Sequence, residues 1–304
     1  MKIAGITVAY NEGNMVKYVM PYYEKMGIDK LIVYDNMSTD DMCEKLSKYP
    51  FVEIRHFDTN GKFDDRKNSD LKEEVSYELL QEGYDWVYTG DFDEIVYCEG
   101  DFKKELEKIE ALGGTVLCRD MIQPFNPLPY DFDETKLIHE QCTHFLTWHD
   151  WSSTWGGSKV LLRSKKVPKI KLSLGAHGTG FPKKGIETDP VLFGYPFITF
   201  HLKYVDFTAL EHNSHEKHAR IQWRLDVPTC TAVDASFTKR LYSRTMGDAG
   251  IKNTIDKLMK KTSKLNIAPG WESFKEYYDK NYKMNMTKFK NIKHVKRLDY
   301  EQNS

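Results

Sequence analysis

The chain has no CxxC pair, no repeat of fixed period, almost no net charge, and no apolar run approaching the roughly 18 residues a membrane span needs. Each absence excludes something. Its five cysteines, at positions 43, 98, 118, 142 and 230, are too scattered for a disulfide framework, so they read as reduced thiols of a cytosol-like compartment. The opening MKIAGITVAY meets Asn11 and Glu12 too early for a signal peptide, and nothing is expected to cross a bilayer. A net charge of −1 argues against a protein that wraps nucleic acid with its whole surface. No glycine-rich phosphate loop follows the first apolar run, only Asn11-Glu12-Gly13, which argues against a nucleotidyltransferase that makes sugar nucleotides.

What is present is a soluble globular composition, 40% hydrophobic and 29% charged, over 304 residues, enough for one large domain or two. The small net charge hides an asymmetry. Residues 251–304 carry 13 Lys or Arg against 6 Asp or Glu, which leaves the body acidic at −8. In that tail Lys alternates with Tyr, Phe, Trp and Met, a pattern read as the solvated face of helices, with an interfacial patch for anionic lipid as the other reading.

Ile3 to Tyr10 is a near-continuous apolar run, as expected of a central strand covered on both faces. Apolar residues then recur at helical spacing from Val16 to Met26, and Gly27 is placed to cap. Leu31–Tyr34 and Phe51–Phe57 read as the next strands. Ser38 or Thr39 is expected to cap a helix between them, and a further helix is expected from about Asp65 to Glu82. The fourth strand lies in YDWVYTGDFDE, Tyr84–Glu94. Four strands separated by helices predict βαβ units and a mostly parallel sheet. Thr115–Arg119, Lys159–Arg163 and ITFHLKY (198–204) read as further strands, and Pro124, Pro127 and Pro129 as a loop.

Three polar clusters follow strands and so fall on one sheet edge: Asn11-Glu12, Asp35 to Asp40, and Asp91-Phe92-Asp93-Glu94. Carboxylates this close repel one another, which a cation between them would relieve. On extended backbone Asp91 and Asp93 would point the same way with Phe92 turned into the core. The plain alternative for any Asp-x-Asp is an acidic turn. Asp35 and its neighbours suit a nucleoside, and Asp91 and Asp93 suit a hard divalent ion.

ITVAYNE, VYDNMSTDD and WVYTGDFDEI, in that order, resemble the family 2-type GT-A glycosyltransferases, and in particular a bacterial and viral branch whose metal motif reads D-x-D-E. KVLLR, AHG and ITFHLKY resemble later parts of the same pattern, which covers about residues 1–220. The resemblance implies a GT-A α/β fold, with a central mostly parallel sheet flanked by helices. It implies a donor half at 1–120, an acceptor half at 121–220 and a basic helical extension at 221–304. It further implies metal-dependent sugar transfer, with inversion, from a nucleotide-sugar to a glycan or lipid-linked acceptor. The protein would be cytoplasmic, with peripheral membrane contact under the interfacial reading of the tail.

Carried over by residue, Asp35 would contact the nucleoside, while Asp91 and Asp93 would hold Mn²⁺ or Mg²⁺ and the diphosphate. Glu12 lies near the nucleoside by position, and Lys67 faces base or phosphate. His201 or His177 would complete the metal shell. An inverting enzyme also needs a carboxylate to take the acceptor's proton. Asp150, between His149 and Trp151, is the first candidate, with Glu94 and Glu140 as rivals, and Trp148, Trp151 and Trp155 could stack on sugar rings or belong to the core. Two other classes remain in view: a carbohydrate-binding protein without catalysis, and a phosphoryl hydrolase using Asp91 as nucleophile. The second is disfavoured by the three strands that precede Asp91.

Overall fold

The first strand is apolar because both of its faces are covered, and it is central because it has parallel neighbours on both sides. β1 (Ile3–Ala9) lies between β2 (Lys30–Asp35) and β4 (Trp86–Tyr88), and β3 (Val52–His56) extends the sheet beyond β2. Gly5 sits where these elements crowd: a Cβ there would lie 3.1 Å from side-chain carbons of Ile28 and Leu31. The computed structural model describes residues 1–62, 64–119, 121–147, 159–172, 179–180, 190–193, 196–212, 247–260, 263–264 and 296–297.

Helices link these strands as the spacing predicts. α1 (Val16–Met26) ends at Gly27, whose left-handed backbone (φ 65°) turns the chain, with its N–H on the Glu24 carbonyl. α2 is short, Met42–Leu46, and is not capped by Ser38 or Thr39 as expected. Those hydroxyls are drawn instead to Asn11, which competes for them across the loop: Ser38 Oγ accepts the Asn11 N–H at 2.9 Å. α3 (Asp65–Gln81) is capped by Asp64, which accepts the Lys67 N–H, and packs Val75, Leu79 and Leu80 against Ala4, Ile6, Ile32 and Val87; α4 is Phe102–Ala111.

The sheet grows to eight strands in the order β15-β12-β6-β9-β4-β1-β2-β3, where β6 is Val116–Arg119, β9 Lys159–Ser164, β12 Val191–Phe193 and β15 Lys296–Arg297. Among the described strands of this sheet, β9 alone runs against its neighbours, so the expected α/β architecture with a mostly parallel central sheet is present. β9 and β12 join this sheet from beyond residue 120.

A second sheet has the order β14-β8-β7-β13-β5. Its strands are β5 (Glu94–Tyr97), β7 (Met121–Phe125), β8 (His144–Thr147), β13 (Ile198–His201) and β14 (Ser263–Lys264). Pro124, expected in a loop, is in β7. It lies past Met121 and Ile122, the residues that pair with β13, where no further ladder bond is needed on that side. β10 (Lys171–Leu172) and β11 (Thr179–Gly180) form a separate antiparallel pair. The tail supplies a helix, which we number α6 (Gly247–Met259), and also the edge strands β14 and β15.

Two buried polar side chains tie the layers. Arg163 of β9 is fully buried, and its guanidinium donates to the Val167 and Pro168 carbonyls and to Ser76 of α3. Burial lowers its pKa to about 9. His139, in the short helix α5 (Ile138–Gln141), stacks on Phe200 of β13 and lies against Tyr97 of β5, with the Tyr22 hydroxyl 2.7 Å from Nδ1.

Burial, helped by the charge of Lys25, lowers the His139 pKa from 6.5 to about 3. The folded state therefore holds this ring neutral while the unfolded chain protonates it. No penalty exists above pH 6.5, and one grows as the pH falls from 6.5 towards 3, at about 1.4 kcal/mol per unit. His139→Phe should remove about 2 kcal/mol of the stability lost between pH 6.5 and 5, read from urea midpoints. Equal losses in both proteins would show that the ring does not titrate this way.

Candidate functional site

The chain passes β1→β2→β3 to one side of β1 and then places β4 on its other side. The strand order thus reverses between β1 and β4, and crevices outside the carboxyl ends of strands at such a point are where α/β sheets bind ligands. All three polar clusters follow the carboxyl ends of β1, β2 and β4.

The acidic cluster is a turn, not an extended segment. β4 stops at Tyr88, and the Glu94 N–H donates to the Asp91 carbonyl at 3.0 Å. The expected alternation of Asp91 and Asp93 on a strand is corrected accordingly, because the chain leaves the first sheet here and enters the second at β5. Phe92 is nevertheless turned into the core, as expected, and is 2% exposed.

Buried groups hold the turn. The Tyr88 hydroxyl lies against the Asp91 and Glu94 carbonyls, and burial followed by the charges of nearby acidic groups raises its pKa, which keeps it a donor. Gly90 makes room for it: a Cβ at that position would overlap the hydroxyl. The Glu94 carboxylate is itself buried and accepts the Asp91 N–H at 3.1 Å, which makes it a brace for the turn instead of a base facing an acceptor. Glu140 likewise accepts the Leu137 N–H at the start of α5.

Asp93 meets His201, and two sheet registers arrange it. β13 runs antiparallel to β5 with His201 opposite Glu94, and the Leu202 N–H donates to the Asp93 carbonyl at 2.8 Å. The His201 Nε2 then lies 3.1 Å from Asp93 Oδ2. Burial opposes ionisation of Asp93, but the charge and hydrogen bond of His201 outweigh it and hold the carboxyl below its usual range. The ionised carboxylate can only accept, which puts a proton on Nε2, while the other ring nitrogen, Nδ1, is buried with no hydrogen-bond partner among the described residues.

A divalent cation fits this donor set. Two ligands each about 2.1 Å from one ion at right angles are about 3 Å apart, and a carboxylate with an imidazole suits an ion such as Mn²⁺. Among the described residues no group of three His, Cys, Asp or Glu side chains converges. The remaining positions would fall to water and to oxygens of a bound substrate, as is usual where phosphates share the ion.

Asp91 has a different partner. Lys72 of α3 reaches it with Nζ 2.5 Å from Oδ1, the lysine 3% and the aspartate 45% exposed. Reading the sequence missed this lysine. Its signal was position: Lys72 falls on the helix face of Val75, Ser76 and Leu79, where a charged residue is out of place.

The nucleoside candidates are arranged less openly. The Asp35 carboxylate is 4% exposed and accepts from the Ser38 N–H and, at 2.9 Å, pairs with His56 Nδ1. It organises the loop after β2 more than it projects from it. Glu12 lies in the turn after β1, beside Asn11, whose left-handed backbone (φ 52°) lets Oδ1 accept the Thr39 and Asp40 N–H groups. Lys67, in the first turn of α3, is exposed and donates to the Asp58 carbonyl. Asp150, His177 and the tryptophans at 148, 151 and 155 lie outside the described residues.

No family model matches the chain, and no curated protein does. Among solved structures it aligns with core-mannan synthase A of Aspergillus fumigatus in its Mn/GDP form, at 12% identity, 42% of this chain and 43% of that one, TM-score 0.26. It aligns with glucosyl-3-phosphoglycerate synthase of Mycobacterium tuberculosis in complex with Mn²⁺ and UDP-glucose, at 18% identity, 38% and 42% coverage, TM-score 0.24. A third alignment, to 4-diphosphocytidyl-2C-methyl-D-erythritol synthase of Anaerococcus prevotii, has 15% identity, 54% and 72% coverage, and TM-score 0.29. The alignments span less than half the length of the first two proteins. TM-scores this low carry no argument about activity.

The turn's dependence on Tyr88 has a direct test. Gly90→Ala should destabilise the protein by about 2 kcal/mol in urea, because the added methyl displaces a buried hydroxyl. Adding Tyr88→Phe should recover part of that loss by removing the clashing oxygen. If the double variant shows only the sum of the two single losses, the hydroxyl is not what Gly90 accommodates.

Proposed function

We propose that the chain is a metal-dependent glycosyltransferase that moves a sugar from a nucleoside-diphosphate donor to a glycan or glycolipid acceptor, with inversion. The observation that carries this reading is the meeting of Asp93 and His201 beside Asp91 and Lys72, outside the carboxyl ends of the strands where their order reverses. A divalent cation bound there stabilises the charge that develops on a departing diphosphate. Asp93 and His201 would hold it, with His177 the further candidate.

Other parts of the chain would serve the two substrates. The loops after β1 and β2, which carry Glu12 and start from Asp35, form the nucleoside side, Asp35 acting largely through the loop it braces, and Lys67 borders that side from the start of α3. The acceptor's proton would pass to Asp150, which general-base catalysis requires on the side opposite the leaving group. A binding protein without catalysis would need neither a cation for a diphosphate nor a buried lysine paired with the same turn.

Donor binding is the first test. In a thermal-shift panel of UDP-, GDP-, dTDP- and CMP-sugars, one nucleotide should raise the melting temperature, and only with Mn²⁺ present. Asp93→Ala should abolish that response while its ligand-free melting temperature stays within a few degrees of the parent. No response to any donor with any divalent ion would overturn the transferase reading.

The base assignment is checked separately. Asp150→Asn should leave Mn²⁺-dependent donor binding unchanged and cut transfer by about a hundredfold or more. Unimpaired transfer would place the base elsewhere.

A further inference from the structure

Lys72 is costly where it stands. An ammonium taken from water into a helix face shared with Val75, Ser76 and Leu79 loses hydration that one carboxylate does not fully replace, and a methionine would fill the position without that loss. The partner is not similarly buried: Asp91 is nearly half exposed, so the bond ties a carboxylate at the surface to a buried charge. The turn's three acidic side chains thereby have three separate fates. Glu94 folds inward, Asp91 is tied to Lys72, and Asp93 faces His201.

The geometry points to Lys72 as a positioning residue: it holds the Asp91 carboxylate away from the cation's ligand positions and offsets its charge, so that Asp93 and His201 are the turn's cation ligands. This rests on the metal-dependent transferase reading. Its consequence is that the site binds a cation weakly by itself and takes one up together with the diphosphate, whose oxygens supply the missing ligands and charge. A lysine present only for packing would have no such effect on cation affinity.

Mn²⁺ alone is the probe, followed by the paramagnetic signal of the free ion as it is titrated with the full chain. Lys72→Gln, which keeps a hydrogen-bond donor without charge, and Lys72→Met should each bind Mn²⁺ about tenfold tighter than the parent, since a positive charge close to the ion is gone and Asp91 is released. Lys72→Arg should return to within about threefold of the parent, because the charge is restored. Lys72→Met combined with Asp91→Asn should do the same, because the gain requires the freed carboxylate. Unchanged or weaker Mn²⁺ binding in Lys72→Gln or Lys72→Met with parental circular dichroism would overturn this inference while leaving the transferase reading standing. A parent chain that binds no Mn²⁺, even with UDP or GDP present, would overturn both.

Discussion

Everything at the candidate site depends on how the chain crosses from one sheet to the other between Tyr88 and Glu94. The crossing pairs with neither sheet and is largely buried, so its backbone polar groups must be satisfied from within. Tyr88 supplies the hydroxyl that meets the Asp91 and Glu94 carbonyls, Glu94 supplies the carboxylate that meets the Asp91 N–H, and Gly90 supplies the space. With those three fixed, Asp91 and Asp93 are held on a rigid turn at the sheet edge, and Phe92 anchors it in the core. The acidic residues are thus positioned by buried polar neighbours, which is what a site needs if its carboxylates are to stay in place before a cation arrives.

The second sheet completes what the first begins. β13 lies between β7 and β5, and a slip of one residue in its ladder with β5 would turn His201 to the opposite face. The aromatic packing of His139 on Phe200, with Tyr97 alongside, lies in the same two strands and the helix that covers them. Core packing in the second sheet and ligand geometry at the edge are therefore one constraint, so a mutation far from Asp93 in β5 or β13 would act on the site through register.

Much of this was legible in the sequence where local pattern decides. The apolar run of β1, the helical spacing of α1 with Gly27 at its end, and the strand before Asp91 are set by neighbours a few residues away, and they formed as read. Asp93 and His201 were both named, but their pairing was not readable, because it depends on a β5–β13 register more than a hundred residues apart in the chain. The extended geometry assumed for Asp91 and Asp93 failed for the same reason: only the presence of a second sheet makes the chain turn there. Ser38 and Thr39 looked like helix caps until Asn11, 27 residues away, competed for them. Pro124 looked like a breaker because its ladder could not be seen to end.

Lys72 shows the other side of that limit. Nineteen residues separate it from Asp91, yet its position alone marked it, since it occupies the inner face of an otherwise regular amphipathic helix. A lysine there either destabilises the core or has a fixed counter-charge above it, and an acidic turn at the end of the strand beneath that helix is where such a charge would be found. The same reasoning applies to Arg163, also buried in the core, but with a different outcome. Its guanidinium donates to the Val167 and Pro168 carbonyls and to Ser76, so it closes the loop after β9 onto α3. Of the two buried cations in this layer, the one paired with a side chain at the sheet edge belongs to the site, and the one bonded to backbone carbonyls and a core serine belongs to the fold.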